Sequence, residues 1–194
     1  MINQELWNTL KSMDPVEVER RSLAAYNSEN KHFTLNVCHR DYLVYPEKQL
    51  IQAAESPSEP PIFFLHLAAV NYLIGAKDIP LVGRWVGVKE FPSGPLFFRG
   101  PHEMPTGRIV DLFGRDRHGF ASACQKWGGI PVEGGDVAFE LLVFPRLPVR
   151  MLLWLKDKEF PARLTYLFDS TANVHLLLDG IWAVGKLLEF LLTQ

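Results

Sequence analysis

Apolar residues recur along this chain with two periods, and each change of period marks an element. Over residues 3–13, Leu6, Trp7, Leu10 and Met13 fall at helical spacing and predict a short helix with one buried stripe. Asp14-Pro15 restarts a helix. Asp14 can cap the free amides, Pro15 suits the first helical position, and Glu17 stands at capping-box spacing. The turn chemistry of Asn27-Ser28-Glu29-Asn30 predicts that this helix stops near Tyr26. His32–Cys38 and Tyr42–Tyr45 read as two strands of a hairpin joined by His39-Arg40-Asp41. Residues 56–61 carry three prolines, which exclude helix and inner strand and predict a connection. The stretch before it is too short to hold a sizeable core, so the expectation is one domain over 1–194 with a helical N-terminal extension over about 1–27.

Residues 62–75 (IFFLHLAAVNYLIG) are apolar on nearly every helical face, which predicts a buried helix ending at Gly75. Residues 83–100 mix Gly, Pro and aromatics and predict two short strands around a Pro-Ser-Gly-Pro turn. Residues 105–127 predict helix broken at Gly114, with Ile109, Leu112, Phe113, Phe120, Cys124 and Trp127 on its apolar side and Gly128-Gly129 as the stop. Val137–Phe144, Val149–Leu155 and Arg163–Phe168 are strand-like runs joined by Pro145–Pro148 and by Lys156–Glu159, short links that imply an antiparallel meander. In the third run Leu164, Tyr166 and Phe168 share one face, and Arg163, Thr165 and Leu167 the other. Asp179 is placed to cap a closing helix, Ile181–Leu192. Strands and helices in separate groups predict an α+β fold, a single domain whose antiparallel sheet combines the C-terminal meander with the N-terminal hairpin and is packed by helices. Trp154, Phe139, Leu141, Phe168, Tyr166 and Leu188 are the predicted core.

Charge narrows the function. Twenty Lys and Arg against twenty-two Asp and Glu leave a net charge of −2, no footprint for a nucleic-acid backbone. The densest basic stretch, Arg146 to Arg163, reads as a solvated strand surface. Charged or polar residues interrupt both long apolar runs, Ile62–Ala76 and Leu176–Leu192, so neither makes a membrane span. The polar N-terminus does not read as a secretory signal, and two cysteines, Cys38 and Cys124, are too few for a disulfide framework. The expected setting is the cytoplasm.

A set of motifs carries a family resemblance: Gly83-Arg84-Trp85; Phe113-Gly114 before Gly128-Gly129; Gly135-Asp136 with Phe139; Phe144-Pro145-Arg146 with Pro148; Leu153-Trp154; Asp157 with Glu159-Phe160-Pro161; and Leu167-Phe168-Asp169. Together they resemble the prokaryotic family named domain of unknown function 3786, over roughly residues 20–192. The resemblance implies a setting in anaerobic bacteria and archaea. Some members carry an added iron–sulfur domain similar to one in a corrinoid protein of one-carbon metabolism, and this sequence holds no cysteine set for such a cluster. The implied context is a corrinoid or other tetrapyrrole, or a redox partner protein.

Three constellations carry candidate chemistry. Asp169 and His175 would meet if residues 170–173 form one helical turn, and with a third group such as Asp136 or Glu140 they would hold a metal for a hydrolase or transferase. Asp157 and Glu159 lie in a turn at the opposite sheet end. Gly128-Gly129 and Gly134-Gly135-Asp136 lack the strand–turn–helix order of a dinucleotide loop and read as backbone turns. Arg84, Trp85, Phe98, Arg99 and His102 would close over a flat anionic ligand, with His66 of the buried helix offering a nitrogen to a metal centre in the same cavity. The leading reading is a non-catalytic ligand-binding or accessory domain for a small molecule or redox partner. The alternatives are the metal-assisted enzyme and an interaction module, which an exposed apolar face on Ile181–Leu192 would make a homodimer.

Overall fold

A computed structural model describes residues 3–60 and 62–194. Two helices open the chain, α1 (Gln4–Ser12) and α2 (Pro15–Ser22). Asn3 caps α1 through the Glu5 amide, and Asp14 caps α2 through the Val16 amide. Glu17 closes no capping box but pairs with Arg20 and Arg21. The second helix stops before its expected end near Tyr26. Leu23 turns left-handed, and Ala25–Asn27 becomes strand β1.

A four-stranded antiparallel sheet follows, in the order β1-β2-β3-β4, with β2 (His32–Val37), β3 (Arg40–Tyr45) and β4 (Leu50–Ala53). The β2–β3 turn is not His39-Arg40-Asp41. Val37 pairs with Arg40, so Cys38-His39 form a two-residue loop with φ of 48° and 63°. Such loops favour Asn-Gly, and a side chain there costs about 1–2 kcal/mol per residue. Tertiary contacts hold it: Cys38 is fully buried and its amide donates to the Val143 carbonyl of the second sheet. Ser56–Pro60 of the proline-rich connection are mostly exposed, and Pro61 lies outside the described residues.

Helix α3 (Phe63–Gly75) is the buried helix. Residues 83–100 depart from the expected pair of strands. Only β5 (Trp85–Val86) is extended, and Gly94–Phe97 form a short helix, α4. Helices α5 (Gly107–Phe113) and α6 (Arg117–Lys126) flank the break at Gly114, although Leu112 faces solvent. Strands β6 (Ile130–Pro131), β7 (Val137–Phe144), β8 (Leu147–Trp154) and β9 (Arg163–Asp169) complete a five-stranded antiparallel sheet in the order β5-β9-β8-β7-β6. Helix α7 (Ala172–His175) and the closing helix α8 (Leu178–Leu192) end the chain. Leu177, not Asp179, occupies the cap position of α8 and supplies no side-chain bond.

One apolar core runs through both sheets and makes the molecule a single α+β domain. Helix α3 reaches both. Tyr72 stacks on Phe144 of β7 at 4.6 Å, and His66 meets the Ile51 amide of β4. Phe139, Leu141, Tyr166, Phe168 and Leu188 are buried as expected, but Trp154 stands half-exposed on the other face of the sheet. The predicted apolar stripe of α8, Ile181, Val184, Leu187, Leu188 and Leu191, is buried in the core, while Trp182 and Phe190 of the same helix are partly exposed. No helix among the described residues is long and apolar enough to cross a membrane.

Candidate functional site

Residues 76–83 form a strap that runs from the end of α3 to β5, and the predicted pair Asp169 and His175 lies beneath it. Asp169 ends β9 and is 2% exposed. It accepts from the Gly83 amide at 2.6 Å, the Val82 amide at 3.4 Å, and the Thr171 amide and hydroxyl at 3.0 and 2.7 Å. Burial opposes ionisation there, but these donors outweigh it and hold the carboxyl below its ordinary range. His175, on α7, is 1% exposed, and its Nδ1 accepts from the Lys77 amide at 3.2 Å. Burial lowers its pKa; Arg146 and Lys77 add to this and Asp169 opposes it. The carboxylate and imidazole are thus electrostatic neighbours, but each is bonded to the strap rather than to the other. Gly75 packs so closely on the His175 carbonyl that an added Cβ would lie 2.4 Å from its oxygen.

A residue outside the predicted set completes this arrangement. Arg146, read from sequence as part of a solvated stretch, bonds the Ile79 carbonyl at 3.0 Å, the Arg21 carbonyl at 2.8 Å and the Asp78 carboxylate at 2.5 Å. The strap is therefore fastened to β9, α7 and the β7–β8 turn. The third metal ligand does not join: Glu140 pairs with Arg150, and Asp136 accepts from the Leu155 amide. Among the described residues no three His, Cys, Asp or Glu side chains gather to hold a metal ion.

His66 of α3 is bonded to backbone at both ring nitrogens. Its Nδ1 bonds the Ile62 carbonyl at 3.0 Å and its Nε2 accepts from the Ile51 amide at 3.3 Å, so neither nitrogen is free for a metal. Burial keeps the ring neutral by lowering its pKa. Of the predicted ligand-binding segment, Phe98 is core, Arg99 bonds the Pro95 carbonyl, and Arg84 and His102 are exposed. His102 lies 4.8 Å from the Phe97 ring and 5.8 Å from Trp182. The larger clefts lined by described residues open elsewhere. One of about 540 Å³ lies beside Arg20, Asp78 and Arg146 at the strap, one of about 390 Å³ beside Arg117, His118 and Gly134–Asp136, and one of about 270 Å³ beside His39, Arg40 and Glu55. Cys38, next to His39, has its thiol pushed up to about 12 by burial, which removes the thiolate a nucleophile needs.

Trp85 is the predicted site residue that opens onto a continuous surface. It pairs with Asp169 on the outer face of the five-stranded sheet, and the Arg150 guanidinium lies 3.9 Å from its ring centroid. On the same face Arg163 lies 4.2 Å from the Trp154 ring. Leu152, Thr165 and Leu167 stand partly exposed between the two pairs. The alternation Arg150, Leu152, Trp154 was readable as one strand face; the stacking across strands was not.

A family model described as Domain of unknown function (DUF3786) matches residues 14–189 of this chain. No curated protein and no solved structure matches it.

Proposed function

Since the chain belongs to the family described as Domain of unknown function (DUF3786), and that description carries no activity, we propose a function from the geometry: an accessory domain that binds a partner and performs no chemistry itself. One observation carries the reading. Asp169, His66 and the Nδ1 of His175 are each bonded to backbone, while His175 Nε2 stays buried without a hydrogen-bond partner among the described residues. Asp169 and His175 fasten the strap, and His66 fastens α3 to β4. The exposed aromatic and cationic groups lie on open faces, which suits a protein partner better than a slot-bound small molecule.

The finer versions rest on family context. A corrinoid or other tetrapyrrole would meet Arg84, Trp85, Arg99 and His102 at the surface, and a redox partner protein would meet the same edge. We place the domain in the cytoplasm on the ground that both cysteines are free and buried. The test is anaerobic purification with metal analysis and an absorbance spectrum, followed by titration with hydroxocobalamin. We expect a colourless protein without stoichiometric metal. A shifted cobalamin spectrum would select the tetrapyrrole version, and an unchanged one a protein partner. Stoichiometric metal that Asp169→Ala and His175→Ala both abolish would overturn the reading in favour of a metal-assisted hydrolase or transferase.

A further inference from the structure

The outer face of the five-stranded sheet pairs two indoles with two guanidiniums at a fixed spacing. Arg150 and Trp154 are four residues apart on β8, about 14 Å along the strand. Arg150 rests on Trp85 two strands away, and Arg163 rests on Trp154 across one pairing. Glu140 engages Arg150 only at Nε, at 2.9 Å, and Arg163 makes no hydrogen bond or ion pair among the described residues. A guanidinium held about 4 Å from an indole centroid has less rotamer freedom left to lose, a preparation that helps carboxylate binding. Three other carboxylates near this face are occupied, Asp169 by the strap and Thr171, Asp136 by the Leu155 amide and Asp157 by the Glu159 and Phe160 amides, while Glu159 stands exposed in the β8–β9 loop.

We infer that this face docks an acidic segment of a partner protein, laid over Leu152, Thr165 and Leu167 with its carboxylates on Arg150 and Arg163. The inference deepens the binding-domain reading above and rests on it. Docking by strand addition is disfavoured at both sheets. The edge strands β5 and β6 are two residues long, edge strand β1 is three residues long with its Tyr26 amide donating to Glu19, and His66 occupies the Ile51 amide of edge strand β4. A single-stranded nucleic acid needs free ring faces for its bases, whereas here each indole carries its own guanidinium, and a net charge of −2 supplies no steering toward a polyanion. A second copy would bring the same cations to the contact.

The experiment follows the five Trp indole N–H signals by NMR in the full chain. The probe is a soluble peptide with glutamates four residues apart, spanning about 14 Å when extended, and leucines between them. The signals of Trp85 and Trp154 are expected to shift together and saturate. Arg150→Glu with Arg163→Glu should weaken the peptide about tenfold or more and confer binding of the Lys-for-Glu peptide. Arg163→Gln, at an exposed side chain without bonds, is the control should the double variant fail to fold, and should weaken binding severalfold. Four results overturn the inference: no shift up to millimolar peptide, an equal response to the lysine peptide, the same shifts with oligothymidine, or shifts that depend on protein concentration alone. Bound metal would sink the non-catalytic reading and leave these shifts in place, whereas silent indoles sink only the docking face.

Discussion

Arg146 and Asp169 show how much of this molecule depends on single buried polar groups. Arg146 ties two carbonyls and a carboxylate from two segments, α2 and the strap, a task for a planar fork that a lysine cannot repeat. Arg146→Lys should therefore cost about 2–3 kcal/mol in urea unfolding, nearly as much as Arg146→Ala; a neutral lysine variant would show the fork to be dispensable. Asp169→Asn keeps the shape but turns one of the two acceptors, that at Gly83 or that at Val82 and Thr171, into a competing donor. A loss of about 2 kcal/mol is expected, with faster hydrogen exchange at Val82 and Gly83. Gly128 is required by contact as well as by conformation. At φ +74° an added Cβ would lie 2.1 Å from the His39 ring. Gly128→Ala should cost about 2 kcal/mol or more, and His39→Ala in the same chain should recover part of it. Strict additivity of the two would mean that the ring contact is not the cause.

Elements here are finished by what they pack against. The β2–β3 loop adopts two left-handed residues without glycine because Cys38 is drawn into the core and onto Val143. Helix α2 ends at Ser22 because the Ser22 carbonyl is taken by the Tyr72 hydroxyl and its side chain turns back to Val18. The β4 edge is covered by His66. His66→Ala leaves the Ile51 amide without its acceptor. It should cost about 1–3 kcal/mol and increase exchange along β4. Unchanged protection at Ile51 would show that water replaces the imidazole.

At the scale of the whole molecule, the buried histidines set the response to acid. His66 and His175 both titrate below the ordinary value of 6.5 in the folded state. The unfolded chain therefore binds more protons as pH falls through the window from 6.5 down to those lowered values. Stability is complete above that window and declines through it. Asp169 adds a second decline of the same sign below 3.8. Urea midpoints measured from pH 8 to pH 4 should fall accordingly, and His175→Gln and His66→Gln should each flatten the first decline. A flat profile in the parent chain would contradict the buried, neutral state of both rings.

The hydrophobic pattern by itself determined the larger elements, among them α3, the β2–β3 hairpin, the β7–β9 meander and α8, together with the α+β class and the buried faces of β7 and β9, because a period of two or 3.6 fixes which side chains leave water together, whereas the short elements β1, β4, α4 and β6 were not in it. It left Asp169 and His175 able to meet through a helical turn over 170–173, and the turn forms instead over Ala172–His175 with both side chains bonded to the strap. It misplaced Trp154 and left Arg146 and Arg163 as solvated charge, since a guanidinium's partners lie on other strands, outside any local window. Only the tertiary structure decided what the polar residues do. A carboxylate, an imidazole or a thiol takes its chemistry from burial and from the donors aimed at it, and the folded chain aims those donors from segments far apart in sequence.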